Sequence, residues 1–309
     1  MKLHLLLCVL FSSFLVLGQS GTTSEAISVT PLIDGTLLLP ENKTSPPLAI
    51  IIAGSGPTNR DGNQMMMKNN SLKYLAEGLV AEGVASFRYD KRIVKIMKMG
   101  TLNEKKIQFD HFIEDAVTIT DYFKSDDRFG KIYLIGHSQG SLIALVAAQD
   151  RADGVISIAG AGQEIDDVIV DQLKKQAPGL ADNARTSFDD LRVNGVAQNY
   201  SEGLASIFRP AIQPFLLQWM QYNPQEEIAK LNVPVMIING TKDLQVQESE
   251  AEALRKAKPG AEYLLVENMN HILKEIKGDD IENSKSYNDP RLPVMPEVIS
   301  AISTFIKDQ

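Results

Sequence analysis

A serine lies at the centre of the sequence Gly-His-Ser-Gln-Gly at residues 136–140. The apolar run KIYLI (131–135) precedes this G-x-S-x-G pattern, and the small-residue run SLIALVAA (141–148) follows it. A strand, a sharp turn and a helix in this order push a serine hydroxyl out of the turn. Glycines at both ends of the pattern avoid clashes where the helix folds back on its strand. We interpret Ser138 as a nucleophile; the alternative is a capping serine in a glycine-rich turn.

A serine nucleophile needs a base, and imidazole is suited to this role because its ordinary pKa lies near neutral pH. The chain has four histidines. His4 would be removed with a signal peptide at residues 1–18, and His137 is expected to point away from the neighbouring serine. His111 is expected to be structural, on the face of a helix. His271 lies in the loop ENMNHILK, directly after an apolar strand, and is therefore the predicted base.

The histidine in turn needs a carboxylate that holds its tautomer and stabilises the imidazolium. Asp243 follows the apolar run VPVMIING in the turn TKDLQV. Its alternative role is an Asx-turn or a helix N-cap. Glu248 and Asp90 are weaker candidates for the same function. The carboxyl ends of parallel strands meet at one edge of a sheet, so Asp243 and His271 are expected to approach each other there.

Two backbone N–H groups are the predicted oxyanion donors. The first belongs to Gln139, at the start of the helix after the serine. The second comes from the glycine-rich loop AGSGPTNRDGN (53–63), where Ser55 is the preferred donor and Gly54 the alternative. The loop lacks both the Lys-Ser/Thr ending of a P-loop and the G-x-G-x-x-G spacing, so a phosphate-binding role is not favoured.

Two adjacent residues within the loop at 53–63, Arg60 and Asp61, carry opposite charges. We expect them to pair and brace the loop; a salt bridge on the surface is the alternative.

Near-continuous apolar runs alternate with helical patterns over most of the chain, which predicts an α/β fold with a doubly wound, mostly parallel sheet. A hairpin is expected first, around Asp34-Gly35. Strands are predicted at 47–54, 84–90, 131–136, 154–160, 233–240 and 261–267, and helices at 71–83, 109–124, 139–148, 247–258 and 295–307.

One segment interrupts this alternation and predicts a helical cap inserted into the fold. Residues 161–229 contain no strand pattern and are punctuated by prolines. The core would then consist of residues 27–160 and 230–309. Large apolar residues within the cap are expected to face a substrate pocket in part, namely Phe208, Phe215, Leu216 and Trp219.

The N-terminus predicts export. Met1-Lys2 precedes an apolar stretch that ends near Gly18, so residues 1–18 are interpreted as a signal peptide, and we expect a periplasmic or secreted protein. The stretch is too short for a stable membrane anchor. The single cysteine, Cys8, lies inside it, so the mature chain would have neither disulfides nor cysteine-ligated metal. The net charge of −8 and the dispersed basic residues argue against a nucleic-acid partner.

These motifs together resemble the α/β-hydrolase superfamily, over nearly all of residues 27–309. The elbow GHSQGS, the loop GSGPTNRDGN, the turn NGTKDLQV and the MNH loop are similar to those of exported bacterial esterases related to prolyl-aminopeptidase-like serine hydrolases. The order Ser138, Asp243, His271 is also that of the superfamily. Ala53 stands where a histidine is common elsewhere in the superfamily. The resemblance implies hydrolysis of short-chain esters through an acyl-enzyme, with a small-molecule ester as substrate and without a cofactor or metal.

Three other functions are compatible with these residues. A serine aminopeptidase would need acidic groups in the cap to bind a free amino terminus, and Glu164, Asp166 and Asp167 are available for this. A thioesterase or a carbon–carbon hydrolase would use the same three residues with a different pocket. A non-catalytic binding module is disfavoured, since such proteins usually lose a member of the triad.

Overall fold

The computed structural model describes residues 22–41 and 43–309. Eight strands form a single sheet within these residues: β1 (Thr23–Thr30), β2 (Ile33–Leu39), β3 (Leu48–Ile52), β4 (Ala85–Tyr89), β5 (Ile132–His137), β6 (Gly154–Ile158), β7 (Val235–Gly240) and β8 (Glu262–Val266). The sheet order is β1-β2-β4-β3-β5-β6-β7-β8. β1 pairs antiparallel with β2, and β2 with β4, whereas all other pairs are parallel. The prediction of a mostly parallel, doubly wound sheet is confirmed.

Helices cover both faces of the sheet. They are α1 (Ser71–Ala81), α2 (Arg92–Lys98), α3 (Asp110–Lys124), α4 (Gln139–Ala147), α5 (Ile165–Gln176), α6 (Pro178–Asn194), α7 (Ala205–Phe208), α8 (Gln213–Trp219), α9 (Pro224–Ala229), α10 (Glu248–Ala257), α11 (Asp280–Ser286) and α12 (Pro296–Asp308). α1 and α12 pack on one face of the sheet, and α3, α4 and α10 pack on the other. Proline begins α6, α9 and α12, where its missing N–H has no helical partner to lose.

The N-terminal hairpin differs from the predicted one. The turn lies at residues 31–32, and Thr30 pairs with Ile33, so Asp34 and Gly35 belong to β2 and do not form the turn. Gly35 is needed for packing: a Cβ there would lie 2.1 Å from the ring of Phe87 on the neighbouring strand. The sequence signal was therefore that of a close approach between strands rather than that of a turn.

The helices between β6 and β7 have an apolar core of their own. Phe188 and Phe208 form its centre, with ring centroids 4.6 Å apart, and both are fully buried. We call α5 to α9 the cap helices. The prediction that Phe208 faces a substrate pocket is wrong, because this side chain is buried in the core of the cap helices.

The predicted signal peptide at residues 1–18 lies outside the described residues and stays a prediction. Within the described ranges, no helix is both long enough and apolar enough to span a bilayer.

Candidate active site

Ser138 occupies a strained turn between β5 and α4. Its φ and ψ are 56° and −123°, values that a residue with a side chain rarely adopts. A Cβ on Gly136 would lie 2.1 Å from the carbonyl oxygen of Gly140, and a Cβ on Gly140 would lie 2.3 Å from that of Ile52. The backbone N–H of the serine donates to the carbonyl of Ile158 on the neighbouring strand (2.9 Å). Two glycines and a neighbouring strand therefore maintain the turn that presents the hydroxyl.

Asp243 and His271 form a buried pair at the carboxyl ends of β7 and β8. Oδ2 of the aspartate is 2.7 Å from Nδ1 of the histidine, and their side chains are 1% and 5% exposed. The other oxygen, Oδ1, accepts from the N–H groups of Gln245 and Val246. Asp243 therefore forms the Asx-turn that is its alternative role and orients the imidazole as well. Because Nδ1 must donate to the carboxylate, Nε2 is left as the basic nitrogen.

The imidazole and the serine line the same small cavity, which also contains His137 and Tyr287. No hydrogen bond joins Ser138 Oγ to His271 Nε2 in this structure. Contacts between a nucleophile and its base are often longer in the absence of substrate and shorten in the reactive complex. The structure thus brings all three predicted residues to one edge of the sheet, with two of them directly bonded.

His137 has a structural role that the sequence did not reveal. Its Nε2 lies 2.7 Å from the backbone carbonyl of His271, which can only accept, so Nε2 carries the proton. Burial, and then the nearby His271, lower the pKa of His137 to about 4, which keeps it neutral at physiological pH. The bond from Nε2 fixes the backbone of the loop that carries the predicted base.

The loop at 53–63 is braced by two ion pairs that link it to β4. Arg60 binds the carboxylate of Asp90 through both its backbone N–H and its guanidinium (2.8 and 2.9 Å). Asp61 accepts from Arg88 Nε at 3.0 Å. Burial alone would raise the pKa of Asp90, but the bonds from Arg60 outweigh it and hold the pKa below its usual value. The expected pairing of Arg60 with Asp61 is wrong, since each pairs with a residue of opposite charge on or beside the strand beneath the loop.

The same loop runs directly against the nucleophile. A Cβ on Gly54 would lie 3.2 Å from Ser138 Cβ and 3.4 Å from His137 Nδ1. Ser55 is exposed and lines the cavity that Ser138 and His271 share. Gln139 is the first residue of α4, so its backbone N–H has no partner within the helix. The backbones of both predicted oxyanion donors thus flank the serine.

A second cavity of about 240 Å³, which we call the cap cavity, separates Ser138 from the cap helices. Its walls are mainly apolar and include Leu142, Ile165, Val168 and Trp219. The smaller cavity, of about 60 Å³, is lined by both His271 and Ser138, and we call it the His271 cavity.

Of the aromatic residues predicted to line the pocket, only Trp219 does so. Its ring stacks on Phe109 with centroids 5.3 Å apart and planes inclined by 5°, and it closes one wall of the cap cavity. Phe215 packs edge-on against Phe109 and Phe112, and Leu216 belongs to the core of the cap helices. The prediction for Phe215 is therefore wrong, because this ring faces α3 rather than the cavity.

Comparison with protein families assigns the chain to one family. A family model described as Serine aminopeptidase, S33 matches residues 65–275, more than half of the chain. The protein belongs to this family. The S33 family is part of the α/β-hydrolase superfamily, in agreement with the resemblance that the motifs carry. The matched residues include Ser138, Asp243 and His271, and begin just after the loop at 53–63.

Relatives of this S33 family member support the same fold. Esterase EstD from Thermotoga maritima is 27% identical over 257 residues, which are 78% of this chain and 58% of EstD. The chain thus spans less than two thirds of that relative's length. Among solved structures, Est1E from Butyrivibrio proteoclasticus has a TM-score of 0.58 at 18% identity, covering 92% of this chain and 98% of Est1E. A dienelactone hydrolase from Anabaena variabilis has a TM-score of 0.55 at 16% identity, covering 93% and 98%.

Proposed function

We propose that this protein is a serine esterase that hydrolyses carboxylic esters with short acyl chains. The observation that supports this most strongly is the bond between Asp243 and His271, at the edge of the sheet where the strained turn presents Ser138. A buried carboxylate bound to Nδ1 leaves Nε2 free to accept a proton, which is what an acyl-enzyme mechanism requires. The similarity to EstD, which is named an esterase, agrees with this proposal.

In the proposed mechanism, Ser138 Oγ attacks the ester carbonyl carbon while His271 Nε2 takes the hydroxyl proton. The backbone N–H groups of Ser55 and Gln139 donate to the oxyanion of the tetrahedral intermediate. His271 then returns the proton to the leaving alcohol, and the acyl-enzyme remains. A water molecule, deprotonated by the same imidazole, attacks the acyl-enzyme and releases the acid. Asp243 stabilises the imidazolium in both half-reactions.

The size and lining of the cap cavity favour a short acyl chain. Its volume of about 240 Å³ is below the range of roughly 300–1,000 Å³ that is typical of pockets for drug-sized ligands. Its apolar walls, which include the ring of Trp219, suit a hydrocarbon chain. The smaller His271 cavity, near the base, would then receive the alcohol that His271 must protonate.

The arrangement of the cap carboxylates argues against aminopeptidase activity. An aminopeptidase would need a free carboxylate for the substrate's amino group, yet the three acidic residues proposed for that role are already paired. Arg185 and Arg192 both bind Asp166, at 2.6 and 2.8 Å, and they also bind Asp167 and Glu164 respectively. These ion pairs join α5 to α6, so the carboxylates stabilise the cap.

The test compares rates on p-nitrophenyl acetate, butyrate, octanoate and dodecanoate with rates on aminoacyl p-nitroanilides. We expect kcat/KM to be highest for the acetate or butyrate ester. For every anilide we expect kcat/KM to be at least about 10²-fold lower, a difference of about 2.7 kcal/mol in transition-state stabilisation. Faster cleavage of the anilides would contradict the esterase assignment. A rate that rises up to dodecanoate would contradict only the preference for short chains.

A further inference from the structure

A lysine side chain is buried next to the active site. Lys91 follows β4 and is 2% exposed. Its Nζ donates to the carbonyl oxygen of Gly54 (2.9 Å) and to Oε1 of Gln139 (2.6 Å). The ring of Phe112 lies 4.2 Å from the same atom, with the ammonium over its face. Lys91 therefore bonds to both segments that flank the serine, the loop at 53–63 and the start of α4.

The bond to Gly54 acts on an atom adjacent to a proposed oxyanion donor. The carbonyl of Gly54 and the N–H of Ser55 belong to the same peptide unit, which is planar. The described residues contain no cis peptide bonds, so this carbonyl and N–H point in opposite directions. A hydrogen bond that fixes the direction of the carbonyl consequently fixes that of the Ser55 N–H. A hydrogen bond from Lys91 Nζ on the carbonyl side also polarises the peptide and strengthens its N–H as a donor.

The second bond restrains the residue that supplies the other proposed donor. The side chain of Gln139 is buried, and its Oε1 accepts from Lys91. Its backbone N–H lies at the first position of α4, one residue after the serine. A single amino group is thus tied to the peptide that carries one donor and to the side chain of the residue that carries the other.

Burying a cation at this position is unfavourable, which argues against a purely packing role. Burial lowers the pKa of Lys91 to about 7, and the negative charge of Asp115 opposes that decrease only in part. Arg92 already binds Asp115 with two bonds, of 2.8 and 2.6 Å. An apolar side chain of the same length would fill the space without the desolvation penalty. The two bonds from Nζ are what an apolar replacement would lose.

We propose that Lys91 is a positioning residue for the oxyanion hole, which sets the orientation of the Ser55 and Gln139 N–H groups together. The inference rests on the proposed esterase function and adds to it a residue that does not touch substrate. Charge develops on the oxyanion only in the transition state, so loss of this alignment lowers kcat and leaves KM nearly unchanged.

The test is Lys91→Met, with Lys258→Met as the matched control. Lys258 also donates its Nζ to a backbone carbonyl, that of Leu231, but this bond lies at the opposite edge of the sheet, before β7. On p-nitrophenyl butyrate we expect Lys91→Met to lower kcat by roughly 10²-fold, near the lower end of the effect of removing an oxyanion donor, with KM changed less than about threefold. Lys258→Met is expected to retain wild-type kcat.

A second readout separates alignment from general damage. An alkyl boronic acid forms a tetrahedral adduct on a reactive serine, and we expect its affinity to fall in Lys91→Met by about the same factor as kcat. Gln139→Ala breaks one of the two bonds from Nζ and is expected to lower kcat by about tenfold. In the double variant with Lys91→Met, the combined loss of kcat should be smaller than the sum of the two single effects in free energy. If Lys91→Met does not fold, unchanged kcat in Gln139→Ala would still overturn the inference.

Two outcomes distinguish this inference from the function on which it rests. A folded Lys91→Met enzyme with kcat within threefold of wild type, or with its loss confined to KM, would overturn the role of Lys91 and leave the esterase assignment intact. A wild-type protein without esterase activity would overturn both.

Discussion

Oδ2 of Asp243 lies 2.7 Å from Nδ1 of His271, and the same carboxylate accepts two backbone N–H groups through Oδ1. The aspartate is therefore fixed by its own turn before it orients the histidine. The N–H of Lys242 also donates to the carbonyl of Met269, and this bond joins the turn to the loop that carries the imidazole. The position of the proposed base is thus determined by β7 and β8 together.

Replacing this carboxylate tests its role. Asp243→Asn keeps the shape of the side chain but offers Nδ1 no carboxylate, so the imidazolium loses its stabilisation. We expect kcat on p-nitrophenyl butyrate to fall by about 10³–10⁴, with little change in KM. Glu248→Gln is the control, because Glu248 is the other acidic candidate near this turn and is exposed on α10. Equal kcat in both variants would show that Asp243 does not act on the base.

The wall of the cap cavity provides a second prediction. Trp219→Ala removes the indole from the wall of the cap cavity and enlarges it, so the preferred acyl chain should lengthen from butyrate toward octanoate. Phe208→Ala is the comparison: it creates a void in the core of the cap helices and should lower the free energy of unfolding by about 3–5 kcal/mol without changing the preferred chain length. Initial rates across the ester series and urea denaturation measure the two effects. A shift in chain preference in Phe208→Ala alone would reverse these assignments.

The fold and the chemical groups were largely predictable from local sequence patterns. Apolar runs marked β3, β5 and β7 most clearly, because strands buried on both faces need apolar residues at nearly every position. The turn around Ser138 was predictable because glycines stand at both ends of the pattern, between an apolar strand and a helix; a Cβ on Gly136 would clash with the backbone of Gly140, within the pattern itself. Asp243 and His271 both follow such strands, and parallel strands bring their carboxyl ends to one edge.

The contacts that depend on distant neighbours were not predictable. Phe208 and Trp219 are both large and apolar, and only the packing of the cap helices places one in the cap core and the other at the cavity. Arg60 pairs with Asp90, thirty positions away, rather than with the adjacent Asp61. The burial of Lys91 is not predictable from local sequence, because lysines are usually exposed and this one is buried against carbonyl and amide oxygens from two other segments.

The buried His137 makes stability depend on pH. The pKa of His137 is about 4 in the folded protein, against an ordinary value near 6.5 in the unfolded chain. Between these values the unfolded chain binds a proton that the folded protein does not, so the free energy of unfolding decreases as pH falls from about 6.5 toward 4. His137→Asn removes this titration. Urea denaturation at several pH values should find the variant less stable at pH 7.5, with a gap to wild type that narrows by pH 4.5; a constant gap would contradict the neutral, buried state of His137.

The central claim is that Ser138 is the nucleophile, and Ser138→Ala tests it most directly. The measurement is kcat of the purified variant and of wild type on p-nitrophenyl butyrate, with far-UV circular dichroism to verify the fold of each. Since the hydroxyl forms the covalent bond to the acyl group, we expect kcat to fall by about 10⁴–10⁶. A folded Ser138→Ala variant that retained a tenth of the wild-type kcat would contradict the account.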